Sequence, residues 1–185
     1  MPVFSYDPPD RFVAGTVGQP GERTFYLQAS EGRRTTSVAL EKVQVSRLAE
    51  RLDELLDEEL KRSGGPAGLV EAPASLADDE PLDLPLLEEF RVGVIALAWD
   101  RDDQRVVIEA QEETDSPVEP LADDVPEDGP GVLRVRITAA AARAFTRRAL
   151  QLVGQGRPPC PLCGLPLDAA GHICPRQNGH RAGHA

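Results

Sequence analysis

Three early segments, 12–17, 24–29 and 35–41, are short and β-prone, and the third alternates along its length. A period of two is that of a strand with one buried face. In the third segment Val38 and Leu40 fall on one side and Ser37 and Ala39 on the other, so a single buried face is expected. Gly18-Gln19-Pro20-Gly21 and Glu31-Gly32 separate the segments and supply the turns of a meander. The period then lengthens. Val45, Leu48, Leu52, Leu55, Leu56 and Leu60 recur every three or four residues, the apolar stripe of a helix. Charged residues from Glu50 to Lys61, mostly acidic but including Arg51 and Lys61, fill its other side, and Ser63-Gly64-Gly65-Pro66 stops it.

Residues 63–88 form an acidic loop with Pro66, Pro73, Pro81 and Pro85. Such a composition is expected to bury little and to be mobile on the surface. Two strands follow at 91–100 and 105–111, joined by Asp100-Arg101-Asp102-Asp103. The first is almost continuously apolar, which predicts a central strand with both faces covered. A second acidic loop covers about 112–131. The last strand, 132–137, alternates Leu133, Val135 and Ile137 against Arg134 and Arg136. Thr138 is a suitable N-cap for a helix carrying Ala141, Phe145, Ala149 and Leu152 on one face, and Gly154-Gln155-Gly156 ends it. The pattern predicts an α+β fold: a mostly antiparallel sheet, two helices and a small C-terminal zinc knuckle or ribbon. The order βββα-βββα reads either as a repeat or as an unrepeated domain.

Composition narrows this picture. The 185 residues suit one domain with a small appendage. They divide into a body, 1–156, and a tail, 157–185. Only 4% of residues are aromatic, so the core must be built from Val, Leu, Ile and Ala. The net charge of −11 repels duplex phosphates and excludes a general nucleic-acid coat. That charge is uneven. The tail carries Arg157, Arg176 and Arg181 against Asp168, a net of +2, which leaves −13 on the body. No leader pattern opens the chain, and its longest apolar run, 92–99, is far short of the ~20 residues a membrane helix needs. A cytoplasmic protein without membrane insertion is expected.

The chemistry concentrates in the tail. Cys160-Pro161-Leu162-Cys163-Gly164 is followed by Gly171-His172-Ile173-Cys174-Pro175, a C-x2-C-x8-H-x-C pattern. Three cysteines cannot all pair within one chain, so a disulfide framework is a poor reading. Cys160, Cys163, His172 and Cys174 instead make a closed Cys3His set suited to structural Zn2+, with no position left for a reactive water. In small fingers such metal binding supplies roughly 10–16 kcal/mol of folding free energy, which a tail too small for a core needs. His180 and His184 compete as ligands. His172 is preferred because an extended His172-Ile173-Cys174 sends both ligands to one side. A redox Cys-x-x-Cys is the alternative, but such motifs open a helix after a strand, and here Pro158-Pro159 precedes.

These residues also carry a resemblance. The tail from Cys160 to Gly179, Val38-Ala39-Leu40-Glu41-Lys42, Leu48 to Leu52 and Val107 to Gln111 resemble an uncharacterised bacterial family, a domain of unknown function of about this length. The resemblance implies a protein commonly encoded beside a histidine-phosphatase-like and a phosphoinositide-kinase-like protein, with no established activity. It also implies a tail often carrying Tyr at the position of His180, which supports His172 as the ligand.

Three functions follow as expectations. The first is a non-enzymatic binding or adaptor protein whose tail meets a protein partner through Arg176, Asn178 and Arg181, the kinase-like and phosphatase-like neighbours being candidate partners. The second is nucleic-acid binding through the tail, although no aromatic residue there can stack a base. The third is a Mg2+-dependent, nuclease-like enzyme in which Asp100, Asp102 or Asp103 acts with Glu109 and Gln111 on the next strand. Turn chemistry alone explains that Asp-rich hairpin, and no Walker loop, nucleophile elbow or HExxH pattern is present, so no catalytic residue is assigned.

Overall fold

The computed structural model describes residues 3–19, 21–63, 72–116, 118–122, 126, 128–155, 160–163 and 174. Its elements are β1 (Val3–Tyr6), β2 (Arg11–Val17), β3 (Thr24–Glu31), β4 (Arg34–Leu40), α1 (Lys42–Ser63), β5 (Glu88–Asp100), β6 (Arg105–Glu112), β7 (Val132–Thr138) and α2 (Ala139–Gly154). A short 3-10 turn lies at Ala74–Leu76. Thr138 caps α2 as expected, its hydroxyl accepting from Ala141 N at 3.1 Å. Neither helix is long and apolar enough to cross a membrane.

The strands form one seven-stranded sheet in the order β1-β7-β6-β5-β4-β3-β2. Pairing is antiparallel except at β1–β7 and β4–β5. The fold is therefore α+β with a mostly antiparallel sheet and two helices, as the pattern predicts. The element order does repeat: β2-β3-β4-α1 and β5-β6-β7-α2, joined at the parallel β4–β5 pair. Strand β1 stands outside the repeat, and its residues Val3 to Tyr6 are too few to announce a strand.

β1 and β2 occupy opposite ends of the sheet, yet only residues 7–10 connect them. In a flat sheet six strand spacings would part the two ends by ~29 Å. An extended chain from Tyr6 to Arg11 reaches only ~17 Å. The sheet must therefore curl until its ends approach. The contacts agree: Tyr6 Oη on β1 lies 2.8 Å from Thr36 Oγ1 on β4. Asp10 N donates to Ser30 O at 2.8 Å. Arg34 donates to Ser5 O at 2.6 Å and stands over the Tyr6 ring.

One apolar face of this curled sheet, with Leu27, Val38, Ile108, Leu133 and Val135, forms a single core with Val45, Leu48, Leu52 and Leu56 of α1 and Phe145 and Ala149 of α2. Phe12 stacks on Phe145 with centroids 4.8 Å apart, which fixes α2 against β2. Arg143 of α2 donates to Asp53 of α1 at 2.6 Å and also pairs with Asp57.

The opposite face corrects two expectations. In β4 Thr36 to Leu40 are all buried, so both faces are covered there and not one. The cover is the acidic loop itself, at residues 72–87, which was expected to bury little. Gln28 donates to Ser37 Oγ at 3.0 Å and to Asp83 O at 3.1 Å, while Asp83 N donates back to Gln28 Oε1 at 2.8 Å. Polar residues can be buried here because each hydrogen bond lost to water is replaced. Leu82 seats on Gly15, where an added Cβ would meet it at 2.5 Å. Two arginines then strap the loop across the β2 edge. Arg11 grips Asp78 with Nε at 2.7 Å and Nη2 at 3.0 Å. Arg148 donates to Ala14 O at 2.8 Å, Asp78 Oδ1 at 2.8 Å and Glu80 O at 2.7 Å. Leu84 and Leu87 remain exposed on this strap.

A third correction concerns β5. It is the central strand, as its apolar run predicts, but residues 93–100 are only partly covered.

The hydrogen bond from Arg11, with the nearby charges of Arg11 and Arg148, holds the Asp78 carboxyl below its ordinary value. The folded chain then binds this proton less readily than the unfolded chain. Its stabilisation is complete above the ordinary carboxylate value near ~3.9 and is lost as pH falls through the depressed one. Asp78→Asn is expected to lower stability in urea unfolding at neutral pH. That deficit should shrink as pH falls through the depressed value; a deficit of the same size at neutral pH and in strong acid would contradict the strap.

Candidate metal centre

Residues 160–163 form a tight turn beyond α2, and Cys174 comes back to it. Cys160 and Cys174 are buried and Cys163 is partly exposed. The three Sγ atoms lie within 4.8 Å of one another, with Cys160 and Cys174 at 3.9 Å. Disulfide sulfurs stand ~2.05 Å apart, so these are three free thiols. Sulfurs bound to one tetrahedral ion at ~2.3 Å would be ~3.8 Å apart. The Cys160–Cys174 distance matches that value, and the three sulfurs lie close enough together to hold one ion.

The turn also prepares the sulfurs. The backbone N–H groups of Cys163 and then Leu162, the latter 3.4 Å from Cys160 Sγ, hold the Cys160 thiol below its ordinary value. Metal ligation requires the thiolate, so this shift acts in the favourable direction. Among the described residues these cysteines are the group whose ligand atoms converge well enough to hold a metal ion. His172, His180, Arg176, Asn178 and Arg181 lie outside the described residues.

Asp100, Glu109 and Gln111 do not assemble into a site of the kind anticipated. Glu109 stands opposite Ala96 and Asp100 opposite Arg105. Four residues of strand rise, ~13 Å, therefore part the two carboxylates along the hairpin. That span exceeds what Mg2+ ligands near 2.1 Å can bridge. Each carboxylate is also engaged. Glu109 is buried, and its Oε1 accepts from Gln111 Nε2 at 2.8 Å and Leu121 N at 2.9 Å. Its Oε2 accepts from Arg134 Nε at 2.8 Å and Nη2 at 2.6 Å. Asp100 accepts from Asp102 N at 3.0 Å, Asp103 N at 3.2 Å and Arg136 Nη2 at 2.8 Å. The N–H of Asp103, foremost among these partners, keeps the Asp100 carboxyl low. Gln111 completes the shell of Glu109 with its amide N–H.

A family model described as a protein of unknown function, DUF3090, matches residues 4–174. The chain belongs to the DUF3090 family. The match begins within β1 and ends on Cys174, so the family domain takes in the curled sheet, both helices and all three cysteines. No curated protein and no solved structure matches the chain.

Reading the sequence alone missed Arg134 as the partner of Glu109. A signal was present: Arg134 and Arg136 recur at a period of two on the strand after Glu109, and the register sets Glu109 opposite Arg134. Arg134 also donates to Ala122 O at 2.6 Å, which pins part of the second acidic loop over the pair. Removing one partner of a buried pair strands the other. Glu109→Ala is expected to cost about 3 kcal/mol in urea unfolding; unchanged stability would show that the pair is energetically idle.

Proposed function

We propose that this DUF3090 protein is a zinc-binding, non-enzymatic binding module that acts with a protein partner. The supporting observation is the convergence of the Cys160, Cys163 and Cys174 sulfurs within 4.8 Å of one another, with Cys160 and Cys174 at 3.9 Å, close to the spacing of tetrahedral ligands. Soft thiolates select Zn2+ over hard cations, and His172 is the fourth ligand by its placement two residues before Cys174. Bound there, the ion is a cross-link that folds the tail; three protein sulfurs and one imidazole leave no ligand position for substrate. The carboxylates that would have suggested catalysis are instead tied to Arg134 and Arg136. Arg176, Asn178 and Arg181 follow the last ligand and are the proposed contacts to the partner, for which the kinase-like and phosphatase-like neighbours implied by the family resemblance are the candidates.

Metal analysis of the intact chain is expected to find about one zinc per chain. Joint replacement Cys160→Ser and Cys163→Ser should abolish it, and His172→Ala should weaken it more than His180→Ala. Zinc retained by the double serine variant would refute the site. Affinity capture with the intact chain and with a form ending at Gly156 should differ by the partners that the tail holds; identical captures would remove the tail from partner binding.

A further inference from the structure

We propose that the outer half of β5 is a docking edge that takes an extended peptide segment of alternating apolar and acidic residues as an added strand. This inference is independent of the cysteine site.

The backbone sets the demand. β5 pairs with β6 from Val92 to Asp100. It pairs with β4 only at Ser37–Glu88 and Ala39–Arg91. β4 ends at Leu40 and the chain turns away into α1 at Lys42. Residues 92–100 therefore have no strand neighbour on that side among the described residues. Gln44 Nε2 donates to Val92 O at 3.0 Å and Gly93 O at 3.4 Å. Beyond those two carbonyls, no described residue bonds the free side. A row of alternating donors and acceptors is matched in register only by another extended chain.

The side chains select the occupant. Ile95 and Leu97 of β5, with Gln44, Arg47, Leu48 and Arg51 of α1, line a groove of about 280 Å³ beside this edge. Its floor is apolar and its rim is basic. Arg47 makes no ion pair with a described residue, and Arg51 pairs with the exposed Glu54 and feels Glu58, both on its own helix. In a chain of net charge −11 this is a local attraction for carboxylates. Val94 is exposed on the opposite face, so an added strand would also cover apolar surface there. The other long edge, β2, is treated differently: the strap held by Arg11 and Arg148 covers it. A second copy of β5 would satisfy the edge but would bring Ile95, Leu97 and Trp99 against the arginines in place of acids.

The test uses the full chain and a fluorescent peptide of alternating Val and Glu, with two control peptides. One alternates Val and Lys. The other is the acidic peptide N-methylated at every second residue, which keeps the side chains and removes the strand's donors. The acidic peptide is expected to bind and to slow amide exchange across 92–100. Arg47→Glu with Arg51→Glu should weaken binding about tenfold at low salt while leaving zinc content unchanged. Undiminished binding of the N-methylated peptide, equal binding of the lysine peptide, or protection elsewhere would overturn the proposal. So would a dimer through β5 in sedimentation that the acidic peptide does not dissociate.

Discussion

Everything else in this structure depends on the short link between β1 and β2. Residues 7–10 must join the two ends of a seven-stranded sheet, and they are too few to cross it flat. Curling is the solution, and it brings β1 over β4, where Tyr6 meets Thr36. It also gathers inward-facing residues from both halves of the sheet into one core with both helices, in a chain with few aromatic residues to fill it. Arg136 reinforces the closure, since it faces Asp7 in the link as well as Asp100 and Asp103 in the β5–β6 hairpin.

The strongly acidic balance has a structural use. Arginines from the sheet and α2 reach carboxylates in the first acidic loop, on α1 and on β6: Arg11 and Arg148 to Asp78, Arg143 to Asp53 and Asp57, Arg134 to Glu109. Exposed ion pairs contribute little. These ones are part-buried on the arginine side, and most also bind backbone carbonyls, so each fixes chain direction as well as charge. The loops become cover for the second face of the sheet. The outer half of β5 is only partly covered, and Glu109 and Asp100 are engaged by Arg134 and Arg136.

The cysteine centre and the carboxylate cluster show what a sequence can and cannot announce. Cys160 and Cys163 lie on one turn, so their partnership is local and their spacing declares it. Cys174 comes to the same corner, its Sγ 3.9 Å from that of Cys160. Glu109 and Asp100 looked alike as acids on neighbouring strands, and only the register shows each bound to a different arginine.

The amino-acid sequence by itself determined the two helices, six of the seven strands, the α+β class and the three convergent thiols. The elements rest on periodicity, and the thiols on the C-x2-C spacing with Cys174 further along the tail. Tertiary structure alone decided which faces are covered. β4 alternates and yet is buried on both sides, because Gln28 and Ser37 bond each other and the strap. The apolar run 93–99 of β5 is only partly covered, because β4 stops at Leu40. Burial is settled by what arrives from distant parts of the chain, and a local pattern records only what a strand can tolerate.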